Sequence, residues 1–316
     1  MITRNLRRLG ETEIWISPVA LGCWPIAGMT SLQVNDADSL ATIDAALDSG
    51  INLLDTAYCY GANGESESLI GQAIRGRRDQ VVIASKGGIH WNAEVKQQND
   101  ARPETIRRQC DESLQRMAID VIDLHYLHSP DPLVPIAESA GAFARLIETG
   151  KIRAAGASNL NVSQLSEFQS ICSLSAVQPK YNLLQRDIEV DLIPWCQARH
   201  ISVIHYWPLM KGLLAGKIRR GHVFDPHDSR LKYEVFQGEK FELAQRLLDE
   251  LDKIAADVNK SVSQVVINWS INRPGITATL CGAKRDWQIR ETSDAMSWEL
   301  DASSLQKIED CIASLA

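Results

Sequence analysis

The stretch LLDTAYCYG, residues 53–61, ends an apolar run on an acid, Asp55, and sets two phenols, Tyr58 and Tyr60, just beyond it. A turn requires neither phenol, whereas a proton-transfer site has use for an acid and a phenol together. Lys86 closes a second apolar run, QVVIASK (80–86), and His128 closes a third, VIDLHYLH (121–128). Asp55, Tyr60, Lys86 and His128 are therefore the candidate catalytic set. An ammonium beside a phenol favours the phenolate, and a carboxylate keeps that lysine charged and oriented. One unit charge at ~4 Å with an effective dielectric of ~20 contributes roughly 4 kcal/mol, or about 3 pKa units. Asp55 cancels part of this, so the expected effect on Tyr60 is a fall from ~10 toward ~7 at most, which would suit a general acid near neutrality. An imidazole nearby can donate to a carbonyl oxygen as negative charge develops on it.

These four residues meet only if the fold gathers strand ends. Eight short apolar runs recur, at residues 18–24, 51–56, 80–86, 121–128, 152–158, 175–181, 201–207 and 276–282. Most are β-branched and apolar without clean alternation, as expected of strands buried on both faces of a parallel sheet. Helical patterns lie between them. Leu40, Ile43 and Leu47 share a face with Gly50 as the stop; Pro103 opens a segment striped by Ile106, Cys110, Leu114 and Met117; Phe241, Ala244, Leu248, Leu251 and Ala255 line a third. The alternation predicts an α/β chain, one (β/α)8 barrel domain spanning residues 1–316. LRRLGETEIWIS reads as a β-hairpin closing the barrel floor, and a helix ends the chain. A doubly wound open sheet is the rival, but no G-x-G-x-x-G follows the first strand. In a barrel, chemistry collects where strands end and loops begin, which is where the four residues fall.

Composition narrows the classes. The chain has 316 residues, 45% hydrophobic and 23% charged, ordinary values for a soluble globular enzyme. A net charge of −7 argues against nucleic-acid binding, and no apolar run is long enough to suggest a membrane span. The start, MITRNLRRLG, lacks the apolar stretch of a secretory signal. Seven scattered cysteines without C-x-x-C suggest reduced thiols and a cytoplasmic location. Cys59, inside the opening motif, is expected to be a buried spectator. His125 and His128 are three apart on a strand and project to opposite faces, so a zinc site is not expected. GLLAGK (212–217) is not a P-loop, since three residues rather than four separate its glycines and Ile218 follows the lysine.

DTAYCYG, ASKGG, DLHYLHSPDP, GKIRAAGASN and VQPKYNLL, in that order, resemble the aldo-keto reductase superfamily, and PLMKGLLAGK with CGAKRDWQ is similar to its bacterial, channel-β-subunit-like branch. The resemblance spans residues 6 to 312. It implies a (β/α)8 barrel, NADPH/NADP+ as cofactor and reduction of a small carbonyl substrate. Carried over by position, Asp55, Tyr60, Lys86 and His128 match the family tetrad, with Tyr60 as proton donor; the pattern D-x-x-x-x-Y selects Tyr60 and leaves Tyr58 as packing. His125 is then an outward-facing, hydrogen-bonded residue. The resemblance further implies that Ser158, Asn159 and Gln178 hold the nicotinamide carboxamide and that Tyr206 stacks on its ring. Leu209, Gly212, Leu213 and Lys217 would wrap the pyrophosphate, with Gly282 nearby and Arg230 a phosphate contact on a polar stretch, 218–240, that reads as a lid. Lys284 and Arg285, ahead of a helix starting at Asp286, suit a 2′-phosphate dianion, with Gln288 and Glu291 toward the adenosine.

Three positions depart from the usual pattern. Ser129 follows the histidine where an aromatic is common, Trp207 follows Tyr206 where a small residue is usual, and Thr292 replaces an asparagine that contacts adenine. Trp24, Trp91 and Ser129 are the candidate substrate-pocket residues, although either tryptophan could equally pack its own loop. Two other functions fit the same barrel. One is a nicotinamide-binding, redox-sensing regulatory subunit acting through a protein partner; the other is a Schiff-base aldolase using Lys86. The substrate, the reaction direction and the oligomeric state are not legible in the sequence.

Overall fold

The computed structural model describes residues 5–28 and 34–315. Residues 1–4 of the N-terminal stretch lie outside the described residues.

The hairpin comes first, as β1 (Arg7–Arg8) and β2 (Trp15–Ile16), paired antiparallel. The eight apolar runs then supply β3 (Val19–Gly22), β4 (Leu53–Asp55), β5 (Val82–Gly87), β8 (Ile122–Leu127), β9 (Ile152–Ser158), β10 (Leu174–Gln178), β11 (Ser202–His205) and β12 (Ile276–Gly282). All are parallel and close into a barrel in chain order, with β12 returning to pair with β3 through Thr279↔Val19 and Gly282↔Gly22. A second hairpin, β6 (Ile89–Trp91) with β7 (Gln97–Asn99), rises from the loop after β5.

The barrel interior is filled, not hollow. Ala20, Leu53, Ala84, Leu124, Tyr126, Ala154, Ala176, Ile204, Ala278 and Leu280 form one cluster, with Leu9 and Ile16 from the N-terminal hairpin fully buried against them. Those two side chains cap the lower end, so the hairpin closes the floor as its sequence predicted. The many alanines leave room for one large ring: Tyr126 lies where a Cβ on Gly156 would come within 2.4–2.5 Å of its carbons.

The surrounding layer is α1 (Asp36–Asp48), α2 (Glu65–Ala73), α3 (Pro103–Met117), α4 (Ile136–Glu148), α5 (Val162–Ile171), α6 (Leu192–Gln197), α7 (Gly238–Asp257), α8 (Val262–Ile271), α9 (Asp286–Ser293) and, last, α10 (Ala302–Ser314). Local chemistry sets several ends. Asn161 with Gln164, and Ser261 with Gln264, form reciprocal caps at the starts of α5 and α8. Pro103 opens α3, and α1 stops just before Gly50, whose φ is +86°. The striped faces of α1, α3 and α7 pack on the barrel's outer surface in a second, larger core.

Candidate active site

Strand ends carry three of the four candidate residues. Asp55 is the last residue of β4, Lys86 sits one from the end of β5, and His128 directly follows β8, its backbone N–H donating to the Gly87 carbonyl at 2.9 Å. Tyr60 is placed by its loop. Its N–H donates to the Ala57 carbonyl at 2.9 Å and its carbonyl accepts from Ser66 N–H at 3.2 Å. Gly61, at φ +98°, turns the chain where an added Cβ would sit 2.8 Å from the Glu65 backbone nitrogen, so glycine is required there.

Three of the four meet at Lys86. Its Nζ donates to Asp55 Oδ1 at 2.5 Å, to the Thr56 carbonyl at 2.8 Å and to Tyr60 Oη at 3.3 Å, which uses all three ammonium protons. Lys86 and Asp55 are 1% and 2% exposed, and removing either partner would leave a buried charge uncompensated. Gln178 Nε2 donates to the other Asp55 oxygen at 2.8 Å, fixing the carboxylate from β10. The Tyr60 ring meets the His128 ring edge-on at 6.0 Å and the Trp24 ring at 4.9 Å.

Protonation differs from the expectation for Tyr60. Burial and then the Asp55 charge push its hydroxyl well above its ordinary value, not down toward neutrality. The ammonium lies closer to Asp55 than to the phenol, so Tyr60 faces a nearly neutral pair and desolvation prevails. The phenol is held protonated. Burial, and then Lys86, hold His128 well below its ordinary value, so its half-buried imidazole is neutral. Asp55 is raised by burial against the opposing pull of Lys86 and Gln178.

Residues expected around a cofactor line the same rim. Ser158 Oγ donates to the Gln178 carbonyl at 2.8 Å, and Asn159, at φ +62°, donates through Nδ2 to the His128 carbonyl at 2.9 Å. Tyr206 Oη donates to Asn159 Oδ1 at 2.8 Å, its ring half-buried at the mouth. The chain then turns through Trp207, Met210 and Lys211, all with positive φ, into a short helical turn, Leu213–Lys217. Among the described residues, Gly212 (φ +92°) has only Arg230 Nη1, at 4.0 Å, within reach of a would-be Cβ. Arg230 pairs with Asp228 at 2.5 Å and Arg285 with Asp38 at 3.2 Å; burial, then the Arg230 charge, lower Lys284 from its ordinary value, so three cations share one field. An open glycine turn, a half-exposed aromatic and a cation cluster fit a dinucleotide with phosphate groups.

Some expected contacts are already engaged. The Gln288 side-chain oxygen accepts from the backbone N–H groups of Lys284 and Arg285 at 2.8 and 3.2 Å, capping α9. Glu291 accepts from Ser263 Oγ at 2.9 Å and lies 3.9 Å from Lys217, whose ammonium sits 4.3 Å from the Trp287 ring. Leu209 packs at the edge of the outer core, Leu213 is fully buried, and a Cβ on Gly282 would touch Pro25. Thr292 is buried, with its hydroxyl donating to the Gln288 carbonyl inside the helix. Trp207 turns its ring toward the 211–233 stretch, 5.3 Å from Tyr233 and 5.3 Å from Lys211 Nζ. That stretch is pinned by Phe224 against the buried Phe236.

On the substrate side, Trp24 stands against Tyr60, and Trp91 Nε1 donates to the Cys59 carbonyl at 2.8 Å. Ser129 Oγ accepts from Asn99 Nδ2 at 3.5 Å. Two expectations need correction. His125 does face outward against Phe143, but it is fully buried and, among the described residues, neither ring nitrogen has a hydrogen-bond partner of good geometry. Tyr58 is more than packing: its hydroxyl donates to Glu112 at 2.6 Å and its ring lies under Arg116 at 4.3 Å. Sequence reasoning missed the Thr56 carbonyl as a lysine acceptor and Gln97 as a neighbour of Cys59, 3.8 Å from its sulfur. Neither carries a local signal, since a backbone carbonyl and a loop glutamine have no pattern of their own.

The family model for the aldo/keto reductase family matches residues 18–313. The chain belongs to the aldo/keto reductase family. It is 33% identical to an NADH-specific methylglyoxal reductase of Escherichia coli, over 96% of this chain and 98% of that protein. Among solved structures, a glycerol dehydrogenase from Gluconobacter oxydans superposes with a TM-score of 0.92 at 34% identity, covering 100% of this chain and 97% of that one. An aldo/keto reductase from Klebsiella pneumoniae, solved with NADP and acetate, superposes at 0.76 with 27% identity, covering 97% and 95%. The aldo/keto reductase family is a family of nicotinamide-dependent oxidoreductases. Among the described residues, no helix is long and apolar enough to cross a membrane.

Proposed function

We propose that this aldo/keto reductase reduces a small aldehyde or ketone to the alcohol with NADPH, Tyr60 serving as general acid. The observation that carries the reading is Lys86 Nζ bridging Asp55 Oδ1 and Tyr60 Oη in a buried setting. A bound reduced nicotinamide supplies the hydride. The chain's own groups supply the rest. Tyr60 holds its proton at the mouth of the site, Lys86 donates to the phenol oxygen and stabilises it as that proton leaves, and Asp55 with Gln178 keeps the ammonium in place. His128, neutral, offers a ring N–H to the substrate oxygen. Ser158, Asn159, Gln178 and Tyr206 would hold the nicotinamide; Leu209, Gly212, Leu213, Lys217, Arg230 and Gly282 the pyrophosphate; and Lys284, Arg285, Gln288 and Glu291 the adenosine end. Trp24, Trp91 and Ser129 would wall the substrate pocket.

The intact tetrad favours catalysis over a purely sensing role. Relatives named for methylglyoxal and glycerol support small, oxygen-rich substrates. NADPH rests on the cations at 230, 284 and 285, set against a relative that is NADH-specific. The seven cysteines are free thiols, which suits a reducing, cytoplasmic setting. The deciding experiment is Tyr60→Phe. Steady-state reduction of an aldehyde panel should fall at least about 100-fold, while NADPH binding, followed by fluorescence, stays near wild type. Undiminished turnover in that variant would remove Tyr60 as the acid.

A further inference from the structure

Cys59 touches the tetrad without taking part in the proposed proton and hydride transfers. Its Sγ lies 3.6 Å from His128 Nδ1, on the side of the ring away from the nitrogen that the proposed function turns toward substrate. Its backbone carbonyl accepts from Trp91 Nε1 at 2.8 Å, and its sulfur is 3.8 Å from Gln97 Nε2. Both donors come from the β6–β7 hairpin, so Cys59 is gripped from the loop while it touches the imidazole. The thiol is 1% exposed.

A neutral imidazole carries one N–H, and which nitrogen bears it is decided by what the other nitrogen meets. The Gln97 amide N–H can only donate, so it uses the sulfur as an acceptor. The thiol proton is then free to point at His128 Nδ1. Burial pushes the Cys59 thiol up to about 12, so that proton is present across the working range.

We infer that Cys59 is a positioning residue that sets the tautomer of His128, keeping Nδ1 as an acceptor so that Nε2–H faces the substrate carbonyl oxygen; the role of His128 toward that oxygen rests on the proposed function. A serine can make the same donation through a shorter bond, whereas alanine cannot. The β6–β7 hairpin, which also carries Trp91, then reaches His128 through this thiol.

The test uses the full-length enzyme labelled with 15N-histidine, with the His128 signals assigned by their loss in His128→Gln. Long-range 15N–1H correlation should show unprotonated Nδ1 and protonated Nε2 in the wild type, and a mixed or reversed pattern in Cys59→Ala. With NADPH and an aldehyde, Cys59→Ala should lower kcat up to about tenfold, as for loss of one net hydrogen bond, with unchanged NADPH affinity; Cys59→Ser should restore most of it. A wild-type Nδ1–H tautomer, or an unchanged tautomer in Cys59→Ala, overturns the inference. The NMR result needs no turnover, so an enzyme that fails to reduce carbonyls would refute the proposed function without touching the tautomer assignment.

Discussion

At the scale of single residues the site is an electrostatic arrangement made by burial. Lys86 and Asp55 cost several kcal/mol each to desolvate, and they are retained because each neutralises the other at 2.5 Å. Asp55→Asn should therefore destabilise the fold by about 3–5 kcal/mol in urea unfolding, by stranding the ammonium. Replacing both members, with Asp55→Asn and Lys86→Met, should recover part of that loss, since no unpaired charge remains. A double variant no more stable than Asp55→Asn alone would show that the pair is not coupled. Tyr60 illustrates how far a residue-level expectation can drift. The types and spacing point to a phenol, a lysine and an aspartate, and the structure sets the three side chains together, but the sign of the shift depends on which oxygen the ammonium approaches and on how far the phenol is withdrawn from water, neither of which is encoded locally.

Elements decide which loops meet. The β11 exit, the Gly212 turn and the start of α9 bring Arg230, Lys284 and Arg285 into one field although 55 positions separate the first from the last. Arg230 and Arg285 are each held by a carboxylate, Asp228 and Asp38, which orients the guanidinium groups and tempers their charge. An arriving 2′-phosphate would compete with those carboxylates. Lys284→Ala combined with Arg285→Ala should raise the NADPH dissociation constant at least about tenfold, the loss of one or two charge-assisted contacts, and leave that for NADH nearly unchanged. Equal dissociation constants for the two cofactors in the unmodified enzyme would overturn the NADPH preference. The stripes of α1, α3 and α7 are legible in the sequence because a helical face repeats every three or four residues. The β6–β7 hairpin is not, because Gln97–Asn99 is a polar strand that borrows its order from Cys59 and Ser129.

For the whole molecule, packing between barrel and helices sets a dependence on acid. His125 and His205 are both fully buried, and burial lowers each to about 4. The unfolded chain binds these protons near 6.5 and the folded chain does not. Their contribution is complete above that value and is lost as pH falls from about 6.5 through about 4. Between pH 7.5 and 5.5 each histidine should cost about 1.4 kcal/mol of unfolding free energy. His128, also held well below its ordinary value, adds a third such contribution, so His125→Leu, which keeps an apolar face toward Phe143, should flatten that slope by roughly a third, measured by urea melts at the two pH values. An identical slope would mean that His125 charges in place. His205 differs in kind, because its ring nitrogens meet the Tyr181 carbonyl at 3.0 Å and Thr279 Oγ1 at 2.6 Å.

The sequence by itself determined the barrel, its floor hairpin and the eight strands, because periodicity, helix-start signals and strand-end residues are local and survive without coordinates; it also named Asp55, Tyr60, Lys86 and His128 as the candidate catalytic set. Tertiary structure alone decided the direction of the Tyr60 shift, the complete burial of the His125 ring, the hydroxyl of Thr292 turned inward and the thiol of Cys59 set on His128. Each of those depends on distances between segments far apart in the chain and on how completely water is excluded, and interaction energy changes steeply with both.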